Sequence, residues 1–219
     1  MNKDWSELNK KVQAQIKKEA TFCEGIETLL ELRRKLFDEI CWFKTELSRE
    51  DFNSIPFMNA EGYHSKTIAY SIWHIFRIED IVAHALISGD KQIFFSEDCQ
   101  RSIGSPIITT GNELQKQQIV DFSKALNLDE LYRYAEQVKN ATEDILKTLS
   151  YSDLKRKIAD TDKERLKSLK VVSEDEKACW LIDYWCGKDI RGLIQMPFSR
   201  HWIMHVEASL RIKNKIHSN

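Results

Sequence analysis

LDELYRYAEQVKNATEDILKTL, residues 128–149, sets Leu128, Leu131, Ala135, Val138, Ile145 and Leu149 in steps of three and four, with Thr142 filling the one gap. That period puts one apolar seam along about six turns of helix, the pattern of a helix packed inside a bundle. Asn127, three residues before Glu130, supplies a capping box to open it.

Working outward, similar patterns recur on both sides. Phe22, Ile26, Leu29, Leu36, Ile40, Phe43 and Leu47 hold a helical face across 21–48. Residues 49–63, with Pro56 and Gly62, read as a connecting loop. A second helix starts near Ser65, a suitable N-cap, and runs to about Ser88 before Gly89. Its core positions are Ile68, Ile72, Ile75, Val82 and Leu86, while Lys66, Arg77, Asp80 and His84 sit at spacings that suit a solvated face. His74 stands between the two faces, with Ile78, Ile81 and Ala85 on its side.

The stretch 90–122, which contains SIGSPIITTGN, is irregular, and a short helix is expected at 112–125. The charged segment 150–172 reads as a surface excursion or an extra helix. A second capping box, Ser173 to Glu176, opens a helix that ends near Gly187, and the last helix spans about Phe198 to Lys215. At the other end, Trp5, Leu8, Val12 and Ile16 form a thin stripe between lysines. A membrane-surface helix is one reading of it; docking on the protein's own core or on a second copy is the favoured one. The expectation is an all-α, up-down four-helix bundle over 21–219, with an accessory N-terminal helix at 1–20 and a helical insertion before the last core helix.

Composition agrees with long helices and few turns. The 219 residues include only seven Gly and three Pro, and 42% of them are apolar, enough for a buried core. Thirty-three basic against 34 acidic side chains leave no cationic surplus to neutralise phosphates, so no nucleic-acid partner is expected. Five widely spaced cysteines with no CxxC read as reduced thiols in a cytoplasmic protein. The first residues carry no signal-peptide pattern, and no run of about 18 apolar residues suggests a membrane span.

Chemistry concentrates in SRHWIMHVEASLRIK, residues 199–213. His201 and His205 lie four apart, so their imidazoles are within about 40° of each other and one turn apart on a helix, placed to chelate one ion. The apolar Ala208 and Ile212 continue that face, which turns the pair inward. His74, in AYSIWHIFRIED on the second helix, is the candidate third ligand. Three neutral imidazoles suit zinc, nickel, copper or iron and leave a position open for water or substrate. The competing reading is a set of hydrogen-bonded core histidines.

His84, on the polar face, His217, in the tail, and His64, at a loop junction, are not expected to ligate. Trp202 stands where a HExxH protease has its glutamate, and GxSxG, P-loop, GxGxxG and paired ExxH signatures are missing. Glu79 and Asp80 read as solvated or N–H-bonding carboxylates rather than groups that orient the ligands. Arg77 with Asp80, and Glu207 with Arg211, read as surface helix pairs.

IAYSIWHIFRIEDI on the second helix and SRHWIMHVEASLRIK on the last together resemble the DinB-like family of four-helix bundles, and LDELYRYAEQVKNATEDIL resembles its third helix. The likeness spans about residues 22–216. It implies a divalent metal, most often zinc or nickel, held by His74, His201 and His205, and a homodimer formed through helix faces. It further implies a transferase that uses a low-molecular-weight thiol of the bacillithiol type on an electrophilic small-molecule substrate. A metal-dependent hydrolase and a non-enzymatic, stress-linked metal-binding or interaction protein are the alternatives. The N-terminal helix and the long 150–196 segment depart from the compact family pattern, where they bear on the pocket mouth or the dimer interface.

Overall fold

A computed structural model of the chain describes residues 2–96 and 98–218. The outer ends of the two expected segments, at Met1 and Asn219, and Glu97 in the irregular stretch lie outside the described residues. Those residues form helices and connecting loops, and an isolated antiparallel bridge joins Lys157 to Asp189. In chain order the helices are α1 (Lys3–Gln15), α2 (Phe22–Glu46), the short α3 (Arg49–Asn53) and α4 (Ile68–Asp80). A π-helical stretch, Ile81–Ser88, extends α4. Then come α5 (Cys99–Ile103), α6 (Gln117–Ala125), α7 (Leu128–Thr148), α8 (Asp160–Ser168), α9 (Glu176–Cys186) and α10 (Ile190–Gln195). A second π-helical stretch, Met196–Arg200, leads into α11 (His201–His217).

Four of these helices position the site. α2 packs against α7 and α11, and α4 packs against the same two, so the four close around a shared core. Leu36 and Ile40 from α2, Trp73 and Phe76 from α4, Leu131 and Ala135 from α7, and Trp202 and Val206 from α11 meet there, all essentially buried. The seam expected on α7 is buried at Leu131, Ala135, Val138 and Thr142, and Asn127 caps it by accepting from the backbone N–H groups of Asp129 and Glu130.

The N-terminal stripe docks on the protein itself. Trp5, Val12 and Ile16 are buried and α1 runs along α2, each side chain contributing about 1.5–3 kcal/mol of burial. Gly25 permits the approach, because a Cβ there would stand 2.7 Å from Ile16 Cγ2.

Several local expectations need correction. Thr67, not Ser65, caps α4 by accepting from the Tyr70 N–H, while Ser65 donates to the Gly62 carbonyl. Asp175, not Ser173, caps α9. The expected loop 49–63 contains α3, opened by a capping box between Ser48 and Asp51; five residues are too few to show a period. Of the two readings of 150–172, the extra helix is found, as α8, and the surface excursion is not, because this segment and the rest of 150–196 contribute to the interior. Leu154, Leu166, Val171, Trp185, Ile190 and Leu193 join Ile26, Leu29, Val82 and Leu86 in a second core layer. Its charged residues masked the widely spaced apolar ones that bury it.

Candidate metal centre

The three histidines converge. His74 comes from the middle of α4, and His201 and His205 from the first turns of α11. Ring centroids lie 5.1 Å apart for His74 and His201, 4.9 Å for His74 and His205, and 4.6 Å for His201 and His205. One ring nitrogen from each falls within 4.8 Å of the others, so the group is able to hold a metal ion. All three side chains are buried.

Hydrogen bonding makes these rings available as ligands. His74 Nδ1 stands 2.6 Å from the Thr110 carbonyl oxygen, which only accepts, so Nδ1 carries the proton and the Nε2 lone pair is free. His201 Nδ1 and both ring nitrogens of His205 are buried with no hydrogen-bond partner among the described residues. Buried polar atoms left unsatisfied cost about 1–3 kcal/mol each, and an ion among the rings removes that cost for the nitrogens that ligate it. The core-histidine reading requires partners that these nitrogens lack. Burial drives the His74 pKa down to about 4, against the raising effect of the Thr110 bond, and a nearby Lys66 lowers it further. Burial likewise holds His201 and His205 well below the ordinary histidine range, with the neighbouring imidazoles acting in the same direction. The rings are therefore neutral at pH 7, the protonation state that ligation needs. A donor set of three imidazole nitrogens fits zinc or nickel.

The loop that carries Thr110 is held by side chains expected on a solvated face. Arg77 and Asp80 are fully buried and His84 nearly so. The Arg77 guanidinium donates to the Ile108 carbonyl at 3.0 and 2.8 Å and to Gln92 at 2.7 Å, and lies over the Phe94 ring. Asp80 accepts from the Ile93 and Phe94 N–H groups and from the Tyr134 hydroxyl, each at 2.9 Å. Arg77 and Asp80 are thus interior, 3.6 Å apart, and not a surface pair. Spacing could not reveal this, since the irregular 90–111 stretch folds over that face and satisfies the charges with its own backbone.

Gly111 completes the arrangement. Its φ is +75°, and a Cβ there would meet Trp73 Cζ3 at 2.9 Å and Tyr70 Cε2 at 3.1 Å. The close approach lets Tyr70 donate to the Gly111 carbonyl while its ring stacks on His74, 5.3 Å away and tilted by 14°.

Glu79, read with Asp80 as solvated or N–H-bonding, is buried and bonds N–H groups of side chains, as Asp80 bonds those of the backbone. Glu79 takes a two-bonded contact from Arg33 of α2 at 2.7 and 2.9 Å and a third from the Trp202 indole at 2.8 Å. Arg33, stacked over Trp202 and paired also with Glu143 of α7, ties α2, α4, α7 and α11 together beside His201. A signal was present: Arg33 is four residues after Leu29 and three before Leu36, on the apolar side of α2. The remaining histidines lie elsewhere, as expected. His84 bonds Asp90 at 2.5 Å, His64 accepts from Arg211 at 2.8 Å, and His217 ends α11, exposed.

The imidazoles face a cavity of about 630 Å³. α9 supplies Trp180, Leu181, Tyr184 and Trp185 to its wall. Tyr63 closes another side, its ring edge-on to His205 with centroids 4.8 Å apart. No helix among the described residues is long and apolar enough to cross a membrane. No protein-family model and no curated protein matches this sequence.

Proposed function

We propose that this protein is a metal-dependent enzyme of the DinB-like four-helix-bundle type, transferring a low-molecular-weight thiol to an electrophilic small molecule. The observation that carries this reading is three partner-poor, neutral imidazoles converging on one point at the edge of a cavity large enough for two small reactants. His74, His201 and His205 would hold the ion, zinc or nickel by donor chemistry. When bound, a divalent cation supplies Lewis-acid chemistry that lowers the pKa of a thiol or a water.

The protein's own part is positioning and exclusion of water. Thr110 fixes the His74 tautomer, and Trp202, anchored on Glu79, fixes the register of α11 on which His201 and His205 stand. Trp180, Tyr184 and Tyr63 wall the reaction space with aromatic surface. The cysteines are not needed as nucleophiles: burial raises the thiol pKa of Cys41, Cys99 and Cys186, and none of the five lines this cavity.

Thiol transfer is placed ahead of hydrolysis because no aspartate or glutamate lines this cavity among the described residues to act as a general acid or base beside the metal. Elemental analysis of untagged protein, wild type beside His205→Ala, tests the site. The expected result is near one metal per chain, lost in the variant. Wild type that is metal-free and binds neither zinc nor nickel on titration refutes it. With metal loaded, turnover of electrophiles with bacillithiol-type or glutathione-type thiols tests the reaction, and failure with all of them refutes it.

A further inference from the structure

The cavity is unbalanced in charge. Its lining contains two lysines, Lys66 and Lys177, beside the three imidazoles, and no acidic side chain among the described residues. Lys177 is exposed on α9, but Lys66 is half-buried just before the N-cap of α4. Lys66 Nζ lies 5.0 Å from the Tyr70 ring centroid, and that ring is the one stacked on His74. The ammonium has no carboxylate partner among the described residues, and burial alone lowers its pKa. A partly desolvated cation beside a cation-binding site is costly to keep unless something negative joins them. The same cavity is lined by Trp180, Tyr184 and Leu181, apolar surface suited to a planar or hydrocarbon body.

We infer that this cavity takes a small organic anion, a molecule with a carboxylate on an apolar or aromatic body, and that Lys66 anchors the carboxylate. This deepens the proposed function by naming its substrate class, and it relies on that reading only for the cavity's being the reactant site. The carboxylate belongs to the thiol or to the electrophile; comparing carboxylated and uncharged versions of each in turnover assigns it.

The test is equilibrium binding, independent of turnover. 3-Phenylpropionate and its neutral isostere 3-phenylpropanamide are titrated calorimetrically against the full chain, once with chelator present and once loaded with zinc. The acid should bind about tenfold more tightly than the amide. Lys66→Met, which keeps the side-chain stem, should abolish the difference, and Lys177→Met should leave most of it. Equal affinities for acid and amide, no saturable binding of the acid, or a preference that survives in Lys66→Met overturns the inference. Should Lys66→Met not fold by circular dichroism, Lys66→Gln takes its place, and the wild-type ratio of acid to amide remains decisive by itself. Wild type that binds one zinc per chain yet shows no preference for the acid overturns the anion site and spares the metal reading. An acid preference in protein that binds no zinc does the reverse.

Discussion

Replacing Gly111 with alanine tests whether the loop over α4 sets the metal site. The residue sits at φ +75°, where a Cβ is disfavoured by about 1–2 kcal/mol. The added methyl would also stand 2.9 Å from Trp73 and 3.1 Å from Tyr70, both fully buried, and overpacking of that kind costs about 1–3 kcal/mol. If the loop holds its place, metal-free Gly111→Ala should therefore be less stable by about 2–5 kcal/mol in urea unfolding. If the loop yields, the Thr110 carbonyl leaves His74 Nδ1, and loss of such an outer hydrogen bond lowers metal affinity about 10- to 100-fold. Zinc titration against a competing chelator measures the second term, and the unfolding midpoint measures the first. A variant within twofold of wild type in zinc affinity and within about 0.5 kcal/mol in stability would refute the claimed coupling between loop and ligand.

Other outcomes follow from the same geometry. Metal-free protein should lose stability as pH falls from about 6.5 towards 4, because the unfolded chain then takes protons that the buried rings refuse. With His74 at about 4, that histidine alone accounts for about 2 kcal/mol lost by pH 5; urea unfolding at pH 7.5 and pH 5 reads it, and equal stability at the two contradicts it. Glu79→Leu leaves buried Arg33 with Glu143 as its carboxylate partner and should cost about 3 kcal/mol, whereas adding Arg33→Met to it should recover most of that; a double-mutant cycle of these two substitutions showing simple additivity would remove the ion pair from the argument. His84→Ala should keep its metal in elemental analysis, since His84 bonds Asp90 and stands apart from the other rings; loss of metal in that variant would contradict the assignment of ligands.

What the sequence determined by itself was whatever depends on local period and local chemistry. Steps of three and four placed the long helices, Asn127 announced the start of α7, and the four-residue spacing of His201 and His205 put two imidazoles on one face. His74 was legible for the same reason, as a histidine among isoleucines. The tertiary structure alone decided what lies over each face. A polar residue at helical spacing looks the same whether water or another segment covers it, so Arg77 read as a surface charge, and Asp80 and Glu79 as either solvated or N–H-bonding, until α2 and the loop that carries Ile93, Phe94 and Ile108 were seen to bury and satisfy them. Thr110 acts through a backbone carbonyl, which every residue type possesses, and its place beside His74 depends on a glycine whose significance appears only when Trp73 and Tyr70 crowd against it. The aromatic wall from α9 was visible as composition but not as location, because only the folded 150–196 segment carries Trp180 and Tyr184 to the mouth of a cavity whose ligands lie on α4 and α11.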